Sequence, residues 1–237
     1  MHYDVFNGDA DGIIALLQLR LSKNKPYPQE STLVSGVKRD ISLLKQVDIN
    51  QATSVTVLDI SLEKNIEPLI DLLNNDIDVF YVDHHRAGDI PQSEKLTCLL
   101  DLDANTCTSL LINEHLQGEF STWAIVAAFG DNMHQSATTL ANKLGLTDEE
   151  QSLLQELGIY INYNGYGSSL EDLHFHPADL YQQLLNYANP FDLIYQQGSV
   201  FAKLKAAYLA DMAKAKSAEV ILDNDNVKGV KLADEPW

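Results

Sequence analysis

The sequence predicts an α/β fold in which a parallel sheet flanked by helices leads into a mostly helical region. Two observations predict it. In the first hundred residues, short apolar runs rich in β-branched residues alternate with stretches whose apolar residues recur at helical spacing, the signature of strand–helix–strand units. Beyond Asn105 the β-branched runs give out, and helical periodicity continues to residue 216.

The first strand is expected over residues 3–6, followed by the turn Asn7-Gly8-Asp9-Ala10-Asp11-Gly12 and a helix over 13–21. A second strand is read over 31–37, with a short helix over 41–47 behind it. The run Ser54-Val55-Thr56-Val57-Leu58-Asp59-Ile60 reads as a third strand, and Ser61, with Glu63 close behind it, as the N-cap of a helix reaching Leu73. A fourth strand over 78–82 ends on Asp83-His84-His85. Helices are expected over 106–116, 122–129, 135–144, 148–157, 178–187 and 200–216, with Pro177 and Pro190 as starts or breaks. The expected domains are a core over 1–132, a helical continuation and linker helix over 133–217, and over 218–237 a strand pair opening a truncated C-terminal domain.

Charge narrows the function. With 34 acidic against 16 basic residues the formal net charge is −18, which repels long nucleic acids and leaves small phosphorylated substrates and cations as partners. The apolar stretch 123–129 is far shorter than the roughly 20 residues that span a bilayer, so no membrane partner is expected. Met1-His2-Tyr3-Asp4 has neither a basic segment nor an apolar signal core, and a cytoplasmic location is the expectation. Cys98 and Cys107 are too few for a disulfide framework and read as small buried side chains.

Ligands of open parallel sheets bind at the carboxyl ends of the strands, and the acidic residues gather there. Asp9 and Asp11 flank the turn after the first strand, Asp59 ends the third and Asp83-His84-His85 the fourth, while Gly130-Asp131-Asn132 closes a helix. Each has a plain structural reading: a turn, a helix cap, a helix stop. Two histidines behind an aspartate at the end of an apolar strand are a poor choice for solvation alone. Carboxylates gathered without interleaved Lys or Arg repel one another unless cations or protons intervene. Carboxylate oxygens with an imidazole suit manganese or magnesium better than zinc.

Asp-x-Asp-Gly, strand-terminal Asp, Asp-His-His and Gly-Asp-Asn, in that order, resemble the four signature motifs of the DHH phosphoesterase superfamily. That superfamily holds RecJ-type exonucleases, nano-RNases, cyclic-dinucleotide phosphodiesterases, exopolyphosphatases and manganese-dependent pyrophosphatases. The resemblance covers residues 3–132 by motif and more loosely the region to 216. It implies two Mn2+ ions, with Mg2+ an alternative. Asp9 would serve the first, Asp11, His84 and Asp131 the second, with Asp59 bridging. Asp83 would orient the histidines, and His85 would contact the substrate phosphate. Hydrolysis of phosphodiester bonds in short oligonucleotides or dinucleotides by a hydroxide shared between the ions is the implied reaction. A phosphoanhydride hydrolase and a non-catalytic nucleotide sensor are the alternatives, and a homodimer is left open.

The sequence departs from the family at Val5, where many members carry His, and at Asn7, where RecJ-type members carry Asp. No Gly-Gly-x-x-His of a DHH-associated domain occurs, so the chain is expected either to belong to a branch lacking that domain or, as the strand pair read over 220–230 favours, to stop just inside it. Further substrate contacts are expected from Arg86 and from Asn162 and Asn164 in the stretch Ile161-Asn162-Tyr163-Asn164-Gly165-Tyr166-Gly167-Ser168, whose tyrosines could stack on a base.

Overall fold

Alternation along each strand sorts the core into two layers. The structure, a computed structural model, describes residues 1–23, 30–224 and 227–232. Strands β1 (His2–Phe6), β2 (Thr32–Ser35), β3 (Ser54–Leu58), β4 (Asp78–Asp83) and β5 (Leu96–Leu100) form one all-parallel sheet in the order β2-β1-β3-β4-β5. Phe6, Leu58 and Val82 are register partners and face one layer, while their neighbours Val5, Val57 and Tyr81 face the other, as the two-residue period requires.

Helices cover both faces. They are α1 (Ala10–Leu21), α2 (Ile66–Asn74), α3 (Thr108–His115), α4 (Ser121–Gly130), α5 (His134–Lys143), α6 (Asp148–Asn164), α7 (Pro177–Leu184), α8 (Pro190–Tyr195) and α9 (Val200–Lys216). The thinner layer is α2, through Leu69 and Leu72, with the 3₁₀ turn Leu43–Gln46. The thicker layer holds α1 and α3 to α9 around Trp123, Ile125, Leu157 and Leu180. Helix α4 is apolar on every side because it is enclosed on every side. It crosses α6 at Gly130 and Gly158, where a Cβ on Gly158 would stand 2.2 Å from Val126 O and one on Gly130 2.8 Å from Gly158 O. Only glycine admits that contact.

The third and fourth strands and the main helices fall where the sequence places them, with four differences. Strand β5 is additional; it is a half-exposed edge strand. Helix α6 runs on from Leu157 to Asn164, carrying Asn162 and Asn164 on its last turn. Helix α8 is also additional. Ser61 caps no helix: its Oγ donates to Arg86 O at 3.2 Å, and a 3₁₀ turn, Glu63–Asn65, precedes α2. After α9 an antiparallel hairpin of β6 (Glu219–Asp223) and β7 (Lys228–Lys231) exposes Val220, Ile221, Leu222 and Val230; residues 225–226 and 233–237 of that expected segment lie outside the described residues. Among the described residues no helix is long and apolar enough to cross a membrane.

Candidate metal centre

The strand order places the reversal of winding between β1 and β3, where such sheets open a crevice at their carboxyl edge. The acidic motifs converge there. Asp9 caps α1, its Oδ1 accepting from the backbone N–H groups of Asp11 (3.0 Å) and Gly12 (3.1 Å). Asp11, in the first turn of α1, lies against the start of α3. Its two oxygens accept from Ser109 N and Thr108 N, both at 2.7 Å, and the helix terminus stabilises its charge. Asp59 follows β3 with φ 59°, a left-handed conformation that Asp tolerates better than most residues, and this bend turns its carboxylate into the crevice. Asp131 is the C-cap of α4, and Asn132, at φ 64°, lets Met133 N close back on Ala128 O at 2.7 Å. The helix stop is therefore also the device that aims Asp131.

His84 sits at the centre. Its Nε2 lies 3.4 Å from Asp59 Oδ1, 3.6 Å from Asp131 Oδ2 and 3.8 Å from Asp11 Oδ2. These are not good hydrogen-bond lengths. They approach the spacing of neighbouring donors around an ion with ~2.1 Å bonds, about 3 Å. Asp11, His84 and Asp131 form one group whose ligand atoms lie within 4.8 Å of one another, and Asp59, His84 and His85 form a second. This donor set fits a hard divalent cation. Asp83 holds His85 alone, accepting from its Nδ1 at 2.7 Å.

The electrostatics favour an added cation. Burial, followed by the neighbouring carboxylates of Asp11, Asp9, Asp131 and Asp83, pushes Asp59 well above the usual carboxylate range. Burial, Asp11 and Asp9 push Asp131 up to about 6, against opposing pulls from Lys38 and His84. The hydrogen bond to Asp83 raises His85. Asp9 goes the other way: burial would raise it, but Lys38 and the Gly12 N–H hold it below the ordinary value. Protons on Asp59 and Asp131 are what a bound ion would displace.

Lys38 is the residue that sequence reasoning missed. Its Nζ reaches Asp9 Oδ2 at 2.5 Å, Asn162 Oδ1 at 3.0 Å and Asp131 Oδ1 at 3.4 Å, and stands 5.7 Å from the centre of the Tyr166 ring. The expectation of a carboxylate edge without an interleaved base is therefore corrected. The available signal was position: Lys38 lies just past the end of β2, on the same edge as the acidic motifs.

The other expected substrate residues divide. Asn162 joins the site through Lys38, and His85 opens on the cleft with its side chain 46% exposed. Asn164 does not join. It is buried and clamps Phe175, its Nδ2 donating to Phe175 O and its Oδ1 accepting from Phe175 N, both at 2.9 Å. Arg86 is exposed, 3.6 Å from Glu63 Oε1. Tyr163 donates to Asp211 and pairs with His174 at 2.8 Å, away from the cleft, whereas Tyr166 is exposed. The cleft, about 140 Å³, is lined by Asn7, Asp9, Lys38, Asp59, His85 and Asp131. A larger one of about 550 Å³ opens at the opposite end of the strands, beside His2, Thr56 and Lys95. There Lys95 is already neutralised by Asp76 and Asp78 at 3.2 and 3.4 Å, and among the described residues the carboxylate–imidazole groups able to hold a metal gather at the other edge, by the smaller cleft.

Among solved structures, the chain is similar to exonuclease RecJ bound to manganese, with a TM-score of 0.53 and 14% identity, over 91% of this chain and 63% of that one. The fold is RecJ-like. RecJ from Thermus thermophilus in complex with Mn2+ aligns at 0.49 and 14% identity, over 91% of this chain and 36% of its own. An uncharacterised protein from Helicobacter pylori G27 aligns at 0.39 and 16%, over 97% and 74%. No family profile and no curated protein matches the sequence. The RecJ-like chain thus spans 63% of the length of the first of these structures.

Proposed function

We propose that the chain is a divalent-cation-dependent phosphodiesterase acting on short oligonucleotides or dinucleotides in the cytoplasm, with manganese as the ion and magnesium as its substitute. One observation carries the reading: His84 Nε2 lies 3.4–3.8 Å from carboxylate oxygens of Asp59, Asp131 and Asp11. The likeness to a manganese-bound RecJ supports the choice of ion. Asp11, Asp59, His84 and Asp131 are the residues that would hold it. When bound, such an ion would stabilise charge on a phosphoryl group and let a water lose a proton to solvent, supplying hydroxide as the nucleophile.

The remaining groups supply position and selectivity. His85, fixed by Asp83 and open to the cleft, is placed to hydrogen-bond a phosphate oxygen. Lys38, held by Asn162, lines the other wall, and Tyr166 offers an exposed ring for a base. A small cleft on a protein of net charge −18 favours small substrates over polymers. Phosphoanhydrides are the weaker reading, because among the described residues Lys38 is the one basic side chain that lines the cleft apart from His85, and carboxylates already engage it.

The test is hydrolysis of bis-p-nitrophenyl phosphate by chelator-stripped protein with Mn2+, Mg2+ or neither. Dinucleotides, short RNA, single-stranded DNA, polyphosphate and pyrophosphate follow. Mn2+-dependent turnover that is highest on dinucleotides is expected. Polyphosphate as the preferred substrate would move the assignment to anhydrides. Dinucleotide binding without turnover under any ion would make the chain a sensor.

A further inference from the structure

We infer that Lys38 is itself one of the cations of this centre, so that the chain binds a single divalent ion beside a fixed ammonium rather than a pair of ions. The inference rests on the metal-centre reading above and replaces the expectation of two ions.

The donors support one ion well and a second poorly. The two groups able to hold a metal, Asp11–His84–Asp131 and Asp59–His84–His85, both depend on His84. An imidazole Nε2 has one lone pair to give, so these are alternatives or one merged site. Asp9, expected to hold the other ion, belongs to neither. Its Oδ1 is taken by the start of α1 and its Oδ2 by the Lys38 ammonium at 2.5 Å. A second ion would need Asp9 and Asp59, and Lys38 Nζ already stands on Asp9, with Asn162 Oδ1 and Asp131 Oδ1 completing its three acceptors. An ammonium has three N–H donors, and all three are accounted for.

Lys38 is built into this place rather than resting in it. Its backbone N–H donates to Gly165 O at 2.8 Å, and its carbonyl accepts from Asn7 Nδ2 at 3.3 Å. Asn7 thereby spends its amide on positioning Lys38, while its buried Oδ1 has no hydrogen-bond partner among the described residues, and Asn7 lines the same cleft. That neutral oxygen is suited to a water or substrate hydroxyl beside the ammonium, and a neutral amide is a weak ligand for a second divalent ion. Charge agrees. Asp9, Asp11, Asp59 and Asp131 bring four negative charges, and one divalent ion plus Lys38 brings three positive ones. Two ions plus Lys38 would press the ammonium against a dication in low dielectric.

The experiment counts ions. Chelator-stripped wild-type protein, Lys38→Met and Lys38→Gln are titrated with Mn2+ while free Mn2+ is read by electron paramagnetic resonance. Thermal melts verify that each variant is folded, and Lys38→Gln serves if Lys38→Met is not. The expected result is one tight ion per wild-type chain and two per variant chain, the second marked by the exchange-coupled spectrum of a manganese pair. Two tight ions in the wild type would overturn the inference and leave the proposed function standing. One ion in both wild type and variants would also overturn it, because Lys38 would then not be what excludes the second. No tight ion in any protein would overturn the metal-centre reading as well.

Discussion

Replacing Asp131 by Asn should stabilise the metal-free protein while removing its response to manganese. In the folded protein Asp131 titrates at about 6, against 3.8 for the ordinary group, because it is mostly buried beside Asp11 and Asp9. The folded state therefore holds a proton that the unfolded state has released between those values. A group raised in this way contributes its stability below the unfolded pKa and loses it as pH climbs through the folded one. At about 1.4 kcal/mol per unit, the penalty of the ionised wild-type side chain reaches about 3 kcal/mol at pH 8 and about half of that at pH 5. The amide of the Asp131→Asn variant carries no such charge and keeps a carbonyl oxygen toward Lys38. Urea unfolding of chelator-treated proteins at the two pH values measures the difference. The variant should be the more stable at pH 8 by up to about 3 kcal/mol, with its advantage falling by about 1.4 kcal/mol at pH 5. Mn2+ at a hundredfold over its Kd should add about 2.7 kcal/mol to the wild type and little to the variant. An advantage that does not shrink on acidification, or a variant less stable at both pH values, would refute the electrostatic account of this site.

Four further outcomes are expected. Manganese affinity should weaken at least about tenfold from pH 7 to pH 5, the tenfold coming from the proton returning to Asp131 and the remainder from Asp59; isothermal titration across that range measures it. Asp59→Asn and Asp59→Ala should both lose metal binding, but the Asn variant should be more stable in urea by about 1 kcal/mol, because Asn accepts the positive φ of residue 59 and Ala does not. Gly158→Ala should destabilise by upwards of about 2 kcal/mol in the same measurement, its methyl group driven into Val126 O. Arg86→Ala should change turnover of a dinucleotide less than twofold, because the guanidinium is 82% exposed and lies against Glu63.

The acidic cluster was legible because the two-residue and 3.6-residue periods locate strand ends, and a parallel sheet gathers those ends on one edge. Asp9, Asp11, Asp59 and His84 follow from those strand ends, whereas Asp131, at the end of α4, was singled out by the order of the motifs and the resemblance it carries. Lys38 follows from neither, since a lysine after a strand is ordinarily a solvated loop residue, and nothing local announces that its ammonium will find acceptors on the starts and ends of three other helices. Asn164 misled for the complementary reason: an Asn beside Gly and Tyr looks like a loop donor, yet α6 runs through it and turns its amide onto the Phe175 backbone. Strand β5 was hidden by being an edge, where Leu96-Thr97-Cys98-Leu99-Leu100 lacks the β-branched density of the buried strands. Ser61 looked like a cap because spacing to Glu63 was all the sequence offered; the backbone there takes a 3₁₀ turn and spends the hydroxyl on Arg86.

The glycine crossing of α4 and α6 acts as a caliper on the cleft. Asp131 follows Gly130 directly, and Asn162 lies one turn beyond Gly158, about 6 Å along its helix at 1.5 Å per residue. The two acceptors that grip Lys38 from these helices are thus gauged by a point where backbones touch, with no side chain left to yield between them. Opening that point by the width of one methyl group would splay both jaws together. The centre's grip on its cations could then drift without any ligand being exchanged, and a search for variants with altered ion preference belongs as much at this dry, chemically silent contact as among the carboxylates themselves.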